Sequence, residues 1–273
     1  MPSNFLEKIL AHKQREVAQR RSRLPEIELR RMSHDLAPPL DLLQALCVAD
    51  HLAVIAEMKK ASPSAGVLRP SFDPLQIAQA YAEAGAEAIS VLTEEDFFQG
   101  SLQHLQRIRP AVKVPLLRKD FIISSYQVWE ARAFGADAIL LIVAALPRDD
   151  LRRLLDVAHE LGMRALVEVH EAHEMEQALS TGAKTIGINN RNLKTFQIDL
   201  SVTEQLAPMA GAEITLVAES GLHTAADVQR MKSAGVHALL VGTHFMQAHD
   251  PGRALREFKK LCWRFDVTAR STN

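Results

Sequence analysis

The sequence predicts a (β/α)8 barrel, in which eight parallel strands close into a ring and a helix follows each strand. Eight short and almost continuously apolar runs occur after residue 51, a pattern typical of parallel strands buried on both faces. Helical patterns separate the runs, and one strand–helix unit recurs roughly every 25 residues. The predicted strands are Leu52–Met58, Ala88–Leu92, Val114–Leu117, Ala138–Val143, Ala165–Val169, Thr185–Ile188, Ile214–Ala218 and Ala238–Val241.

The segments between these runs have amphipathic periodicity and mostly end in glycine. The predicted helices include Pro74–Ala84, Ser124–Phe134, Arg148–Leu161, Glu171–Ser180, Thr224–Ala234 and Pro251–Trp263. A glycine just before the next strand tolerates the left-handed conformation that ends a helix. Glycines of this kind are Gly85, Gly135, Gly162, Gly182 and Gly235.

A doubly wound open sheet is the alternative fold, but it usually carries a G-x-G-x-x-G turn after its first strand, and this sequence has none. Ahead of the first strand, Phe5, Leu6, Ile9 and Leu10 keep helical spacing, as do residues 40–46. We therefore expect three parts. Residues 1–48 form a helical extension over one end of the barrel, residues 49–265 form the catalytic barrel, and residues 266–273 form a tail.

The composition of the 273-residue chain is that of a globular protein with a sizeable core, because 47% of its residues are hydrophobic and 24% are charged. A net charge of −1 gives no reason to expect nucleic acid or an anionic membrane as partner. We expect a cytoplasmic protein, since no signal peptide is recognisable and Cys47 and Cys262 match no metal or redox spacing. The basic stretch Lys8–Arg31 is interpreted as a solvated helix face and as a candidate surface for partner enzymes.

Charged residues gather where the predicted strands end, which is where barrels of this kind place their active sites. Glu57 and Lys59 are two residues apart and so point to the same side of the first strand. The other strand ends contribute Lys119, Glu168, Asn189, Arg191 and Glu219. Burying such charges costs several kcal/mol unless they are paired, so these residues should neutralise one another. An ion-pair network that only closes the barrel is the alternative interpretation.

Two loops have the composition of a phosphate site. Ser220 and Gly221 follow the seventh strand, and Gly242 and Thr243 follow the eighth, where barrels often bind phosphate through backbone N–H groups. Ser62 adds a hydroxyl after the first strand, although ordinary turns use the same residue types. His170 and His173 lie near Glu168, but no H-E-x-x-H motif occurs, and we interpret both histidines as surface residues rather than metal ligands.

The segment Val54–Ser64 closely resembles the signature of indole-3-glycerol-phosphate synthase, an enzyme family of tryptophan biosynthesis. The similarity continues in the family's order through Ser90–Gly100, Leu117–Phe121, Leu140–Val143, Leu166–Val169, Ile188–Leu193, Ala218–Gly221 and Val241–Thr243. It covers essentially the whole barrel. Thr243 stands where a serine is expected and keeps the hydroxyl.

The resemblance implies ring closure, decarboxylation and dehydration of 1-(2-carboxyphenylamino)-1-deoxyribulose 5-phosphate, with no cofactor and no metal. It implies Lys119 as general acid for ring closure and Lys59, held by Glu57, as carboxylate holder or second acid. Glu168 would be a base or electrostatic partner, while Asn189, Arg191 and Glu219 would position the substrate and the lysines. The resemblance also implies an apolar slot for the aromatic ring, made by Phe98, Phe121, Leu140 and Leu193, and a phosphate site made by Ser62, Ser220, Gly221, Gly242 and Thr243.

Two other functions stay open. One is an isomerase or epimerase acting on a sugar phosphate, although such barrels typically use carboxylate or Cys/Asp pairs. The other is a catalytically silent barrel that binds a metabolite or a partner enzyme of the same pathway. The set of Glu57, Lys59, Lys119 and Glu168 favours the synthase over both.

Overall fold

The computed structural model describes residues 5–263, and within them eight parallel strands close into a barrel. The predicted tail at residues 266–273 lies outside the described residues. In chain order the barrel strands are β1 (Ala53–Met58), β4 (Ala88–Leu92), β5 (Leu116–Lys119), β6 (Ala138–Ile142), β7 (Arg164–Val169), β8 (Thr185–Asn189), β9 (Thr215–Glu219) and β10 (Ala238–Val241). Strands β2 (Ala61–Ser62) and β3 (Gly66–Val67) form a small antiparallel hairpin after β1. The predicted barrel is confirmed, and the open sheet is excluded because β1 pairs with both β4 and β10.

Most strand predictions lie within one residue of the observed bounds, but the third was wrong. Residues Val114–Leu117 were predicted, whereas β5 comprises Leu116–Lys119. Pro115 lacks the N–H that a ladder needs, so the strand begins after it. At its other end β5 continues through two charged residues, because Arg118 and Lys119 find buried carboxylate partners.

The helices follow the predicted pattern and add several short ones. They are α1 (Phe5–Arg23), α2 (Glu26–His34), α3 (Leu42–Leu46), α4 (Pro74–Glu83), α5 (Leu102–Ile108), α6 (Ser125–Ala133), α7 (Arg148–Glu160), α8 (Ala172–Ser180), α9 (Ser201–Leu206), α10 (Ala225–Ser233), α11 (Thr243–Gln247) and α12 (Pro251–Cys262). All five glycines predicted to end helices have positive φ angles. No described helix is long and apolar enough to cross a membrane.

Alternation along the strands divides the apolar residues into two layers. Side chains such as Ile55, Leu117, Leu166 and Val217 form a cluster inside the barrel. Their strand neighbours belong to a larger cluster between the barrel and the helices. Because side chains alternate, the inward series continues at the C-terminal strand ends into the polar residues of the mouth.

The N-terminal extension contacts both ends of the barrel rather than the single end expected. Phe5, Leu6 and Ile9 of α1 line the cavity at the mouth. Leu42 and Leu46 of α3 join the inner cluster beside strand starts such as Ala53, so they close the opposite end.

The interpretation of the basic N-terminal stretch as a solvated face was wrong at Lys13. This side chain is fully buried, and its ammonium lies 2.6 Å from the Glu16 carboxylate and 3.0 Å from that of Asp120. Arg20 is also largely covered and pairs with Glu16 at 2.6 Å. The helix therefore uses basic side chains to attach itself to the barrel, since Asp120 directly follows β5.

Candidate active site

One cavity of about 340 Å³ opens at the C-terminal ends of the barrel strands. Every residue predicted for the site lines it: Glu57, Lys59, Ser62, Phe98, Lys119, Phe121, Leu140, Glu168, Asn189, Arg191, Leu193, Glu219, Ser220, Gly221, Gly242 and Thr243. Strand ends that are far apart in sequence thus meet in one space. The residues missed from sequence include the α1 side chains and Phe196, which also face this cavity.

The centre of the cavity is an ammonium held between two carboxylates. Lys119 Nζ donates hydrogen bonds to Glu168 Oε2 and Glu219 Oε2, both at 2.7 Å. Burial alone would lower the pKa of Lys119, but these two carboxylates overcome it and hold that pKa well above its usual value. Lys119 is therefore protonated at any working pH.

The two carboxylates around Lys119 have opposite electrostatic surroundings. Burial would raise the pKa of Glu168, but the Lys119 and His170 cations hold it well below its usual value. For Glu219, burial and the nearby Glu168 charge outweigh Lys119 and raise the pKa to about 7. Glu168 is thus a permanent anion, whereas Glu219 can take up or release a proton near neutral pH.

Gly187 makes room for Glu219, and sequence reasoning did not identify it. A Cβ at this position would overlap Glu219 Oε1 and approach Leu166 Cδ1 to 3.3 Å. Gly187 pairs with Val217 in the β8–β9 ladder, so its inner side faces the space that the Glu219 side chain occupies. A glycine in the interior of a predicted strand was the available signal, because glycine there often marks a close approach.

A second ion pair lies beside the first. Lys59 Nζ donates to Glu57 Oε1 at 2.6 Å, and the Lys59 side chain is 15% exposed. Gly242 packs against this pair, since a Cβ there would lie 3.1 Å from Glu57 Cβ and overlap its carboxylate oxygen. Gly242 therefore admits the Glu57 carboxylate in addition to lining the cavity.

Asn189 and Arg191 link the central carboxylates to the outer loops. Asn189 Nδ2 donates to Glu168 Oε1 at 3.2 Å, and Asn189 Oδ1 accepts the backbone N–H of Arg191 at 3.0 Å. The Arg191 guanidinium donates to the carbonyl of Phe196 at 3.2 Å and reaches Ser64 Oγ at 3.5 Å. Arg191 therefore bridges the loop after β8 and the hairpin after β1.

The apolar part of the cavity has aromatic walls. The rings of Phe98 and Phe121 lie 6.4 Å apart and are tilted by 41°. Phe5 packs edge-on against Phe196 with a centroid distance of 5.3 Å. A flat ring can bind between such surfaces. The contribution of Phe5 could not be read from the sequence, because it depends on how the extension folds back.

The residues predicted to bind phosphate follow three neighbouring strands. Strands β9, β10 and β1 are adjacent in the ring, and their loops carry Ser220–Gly221, Gly242–Thr243 and Ser62. Ser220 and Gly221 have φ angles of 67° and 79°, a left-handed turn that directs successive backbone N–H groups to one side. Thr243 begins α11, whose first amides have no partner within the helix.

The prediction that both histidines after β7 are surface residues was correct for His173 and wrong for His170. The His173 side chain is 70% exposed. The His170 side chain is 9% exposed, with Nε2 at 3.3 Å from Glu168 Oε1 and Nδ1 at 3.2 Å from Glu174 Oε2. A histidine between two buried carboxylates behaves as a cation rather than as a neutral metal ligand, and its ion pairs make burial favourable.

One other cluster of potential metal ligands occurs within the described residues. Atoms of His12, Glu16 and Glu94 lie within 4.8 Å of one another. The Lys13 ammonium lies 2.6 Å from Glu16 and 3.6 Å from Glu94, so the carboxylates already have a counter-ion.

A family model described as indole-3-glycerol phosphate synthase matches residues 6–258. A relative with that name from Carboxydothermus hydrogenoformans is 46% identical over 258 residues, which is 92% of this chain and 98% of the relative. Another, from Burkholderia vietnamiensis, is 49% identical over 255 residues, with coverages of 93% and 98%. A solved structure of 3-hexulose-6-phosphate synthase aligns with a TM-score of 0.61 and 15% identity, over 77% of this chain and 100% of that one, and bears on the fold alone.

Proposed function

The chain belongs to the indole-3-glycerol phosphate synthase family of enzymes, as its motifs predict, and we propose that it converts 1-(2-carboxyphenylamino)-1-deoxyribulose 5-phosphate to indole-3-glycerol phosphate. The observation that supports this best is Lys119, a protonated lysine held between Glu168 and Glu219 in a cavity with aromatic walls. The reaction needs a proton donor, an acceptor and an apolar slot for a ring, and the cavity lining offers all three.

Ring closure joins an aromatic carbon of the substrate to its C2′ carbonyl carbon. Negative charge then develops on the carbonyl oxygen, and we assign Lys119 to stabilise it and to donate the proton. The high pKa of Lys119 disfavours early proton release. It does not prevent transfer to an alkoxide, which is a stronger base than an amine. The fixed carboxylates orient the ammonium before the reaction begins, so little reorganisation is needed.

Lys59 is the second cation of the cavity and is assigned to the substrate carboxylate. Its side chain is partly exposed and its ammonium is held by Glu57, which leaves other donor directions for an anion. Loss of that carboxylate as CO2 would make the enzyme a carboxy-lyase. Arg191, which also lines the cavity, is assigned to the substrate by its charge.

The reaction is completed by loss of water, in which the hydroxyl leaves and a proton is removed from the neighbouring CH2 carbon of the new five-membered ring. A base is most effective when its pKa lies near the working pH, and Glu219 has this property, with a pKa raised to about 7 by burial and by Glu168. We assign Glu219 as the proton acceptor and Glu168 as the fixed anion that holds Lys119. Asn189 positions Glu168.

Phe98, Phe121, Leu140 and Leu193 are assigned to the aromatic ring of the substrate. The amides of the loops after β9 and β10, with Ser62, are assigned to its phosphate. We also propose that the enzyme works in the cytoplasm, because Cys47 and Cys262, the two cysteines of the chain, are both unpaired. Association with other enzymes of the tryptophan pathway remains a prediction.

The proposal is tested by incubating the purified protein with the substrate, without added metal, and following the fluorescence of the indole product. Turnover is expected, and it should be lost in Lys119→Met. Absence of turnover from the wild-type protein, with circular dichroism demonstrating a folded chain, contradicts the proposal. A sugar phosphate without the aromatic group should not be converted, and its isomerisation would favour the alternative function.

A further inference from the structure

Behind the central carboxylate lies a buried chain of three ionisable side chains. Glu168 faces the cavity from β7, His170 follows two residues later, and Glu174 lies in the first turn of α8. The His170 ring separates the two carboxylates, at 3.3 Å from Glu168 and 3.2 Å from Glu174. All three side chains are less than one tenth exposed. None of the roles assigned above uses His170 or Glu174.

The orientation of the His170 ring is fixed from the side away from the cavity. Glu174 Oε2 accepts the backbone N–H of His170 at 2.6 Å and also contacts the ring at Nδ1. A carboxylate in the first turn of a helix is favoured by the helix dipole and by the free amides there. The ring therefore places Nε2 within ion-pair distance of Glu168 Oε1, at 3.3 Å, without an aligned hydrogen bond between them. Glu168 Oε1 accepts from Asn189, and its Oε2 holds Lys119.

The charges around the ring favour its cationic form. Burial alone would lower the pKa of His170, but Glu168 and Glu174 raise it to about 10. The other charged groups of the centre are Lys119 on β5, Glu219 on β9 and Glu57 on β1, and their charges act on one another. Lys119 gives up its proton during ring closure under the proposed mechanism. Glu168 would then face Glu219 with no cation unless His170 supplied one.

We propose that His170, oriented by Glu174, is a positioning residue that holds Glu168 in place and keeps it ionised while Lys119 is without its proton. The proposal rests on the proposed function for the identity of the reaction, but the location and charge of the ring can be measured without it. It assigns no contact between His170 and the substrate. It does assign His170 an electrostatic effect that an ordinary buried histidine would not have.

The experiment compares His170→Gln, which retains a hydrogen-bonding side chain without the charge, with the wild-type enzyme. The matched control is His173→Gln, since His173 is exposed and belongs to the same turn. We expect His170→Gln to lower kcat by roughly 10–100-fold. This is the range found at metal sites when a residue that orients a metal-binding side chain is removed, and His170 orients Glu168 in a comparable way. KM should change by less than about 2-fold, because the substrate is not contacted. The acid limb of the kcat profile should move to higher pH, because the Glu168 and Glu219 pair loses a neighbouring cation.

Nuclear magnetic resonance tests the proposal independently of turnover. The ¹⁵N shifts of the His170 ring should report a cation at pH 7.5, and the ¹³C titration of Glu168 should move up by about 1–3 pH units in His170→Gln. If wild-type turnover fails but these shifts occur, the reaction is wrong and the positioning inference stands. A neutral His170 ring at pH 7.5, or an acid limb and kcat in His170→Gln equal to those of the wild type, overturns the inference.

A second variant guards against loss of folding. Glu174→Gln keeps the hydrogen bond to the His170 backbone and removes one of the two charges that face the ring. We expect a smaller decrease in kcat than in His170→Gln and a lower pKa of the His170 ring in the ¹⁵N titration. An unchanged ring pKa in this variant would contradict the assigned orientation by Glu174.

Discussion

Replacing Gly187 by alanine tests how tightly the central carboxylate is held. The added Cβ would lie much closer to Glu219 Oε1 than the 3.0 Å below which real Cβ atoms are essentially never found. The carboxylate must therefore move by roughly 1 Å to restore van der Waals contact. Its other oxygen accepts from Lys119 at 2.7 Å, so such a movement breaks or strongly weakens that hydrogen bond.

The size of the effect follows from this displacement. Misplacement of a catalytic group by about 1 Å can cost on the order of 100-fold in rate, and one extra methyl group in a packed interior costs about 1–3 kcal/mol. We expect Gly187→Ala to lower kcat by about 100-fold. We also expect it to reduce the free energy of unfolding in urea by about 1–3 kcal/mol. The fluorescence assay measures the first and a urea titration the second.

A double-mutant cycle isolates the contact between Gly187 and Glu219. In a Glu219→Ala background the methyl group meets no carboxylate, so Gly187→Ala should cost less than about 1 kcal/mol there. Gly252→Ala is the matched control, because its added Cβ approaches Ala80 to 3.1 Å far from the active site, and it should leave kcat unchanged. A Gly187→Ala enzyme with kcat within 3-fold of the wild type would refute the reasoning.

Three further predictions follow from the buried charges. Lys119→Met should lower kcat by about 10²–10⁴-fold, measured by indole fluorescence, with circular dichroism expected to be unchanged. Lys13→Met should cost about 3–5 kcal/mol in urea unfolding because it removes one of the two cations, Lys13 and Arg118, that contact the buried Asp120 carboxylate. Arg15→Met on the exposed face of α1 should cost less than about 0.5 kcal/mol. The pKa of Glu219 is raised from its ordinary value of 4.5 to about 7, so between these pH values the folded state binds a proton that the unfolded state has released. The stabilisation that this proton gives the folded state is fully present below pH 4.5 and is lost as the pH rises through 7. Wild-type stability relative to Glu219→Gln should therefore fall by on the order of 3 kcal/mol between these pH values, and no pH dependence of that difference would contradict the shift.

The fold and the central charges could be predicted because both depend on local rules. Apolar runs of strand length and the glycines that end helices identified the barrel. The polar residues at the ends of these runs were then the candidates for the site. The alternation of side chains along a strand placed Glu57 and Lys59 on the same side. The same rule would have identified Lys119 as inward and Arg118 as outward, but the third strand was predicted to end before either residue.

The remaining parts of the site could not be predicted because they depend on contacts between distant segments. Phe5 lines the cavity only because α1 folds back over the mouth. His170 looked like a surface residue in a turn, and only the positions of Glu168 and Glu174 make its burial favourable. Lys13 was interpreted as part of a solvated basic face because its partner Asp120 lies 107 residues further along the chain and the contact between them depends on the fold.

The charge balance of the site connects His170 to Glu219. The centre and its neighbouring pairs contain the cations Lys59, Lys119 and His170 and the carboxylates Glu57, Glu168, Glu174 and Glu219. Three cations face four carboxylates, so the group becomes neutral when one carboxylate takes up a proton, and Glu219, whose pKa is raised to about 7, is the one that does so as the pH falls. Removing the His170 charge leaves one anion in excess, and because unpaired buried charge is costly, a second proton is favoured. Glu168 and Glu174 have both lost the cation that lay between them, so each of them takes up a proton more readily than in the wild type. A protonated Glu168 holds Lys119 less firmly, which is why loss of a residue that does not contact the substrate should slow the reaction.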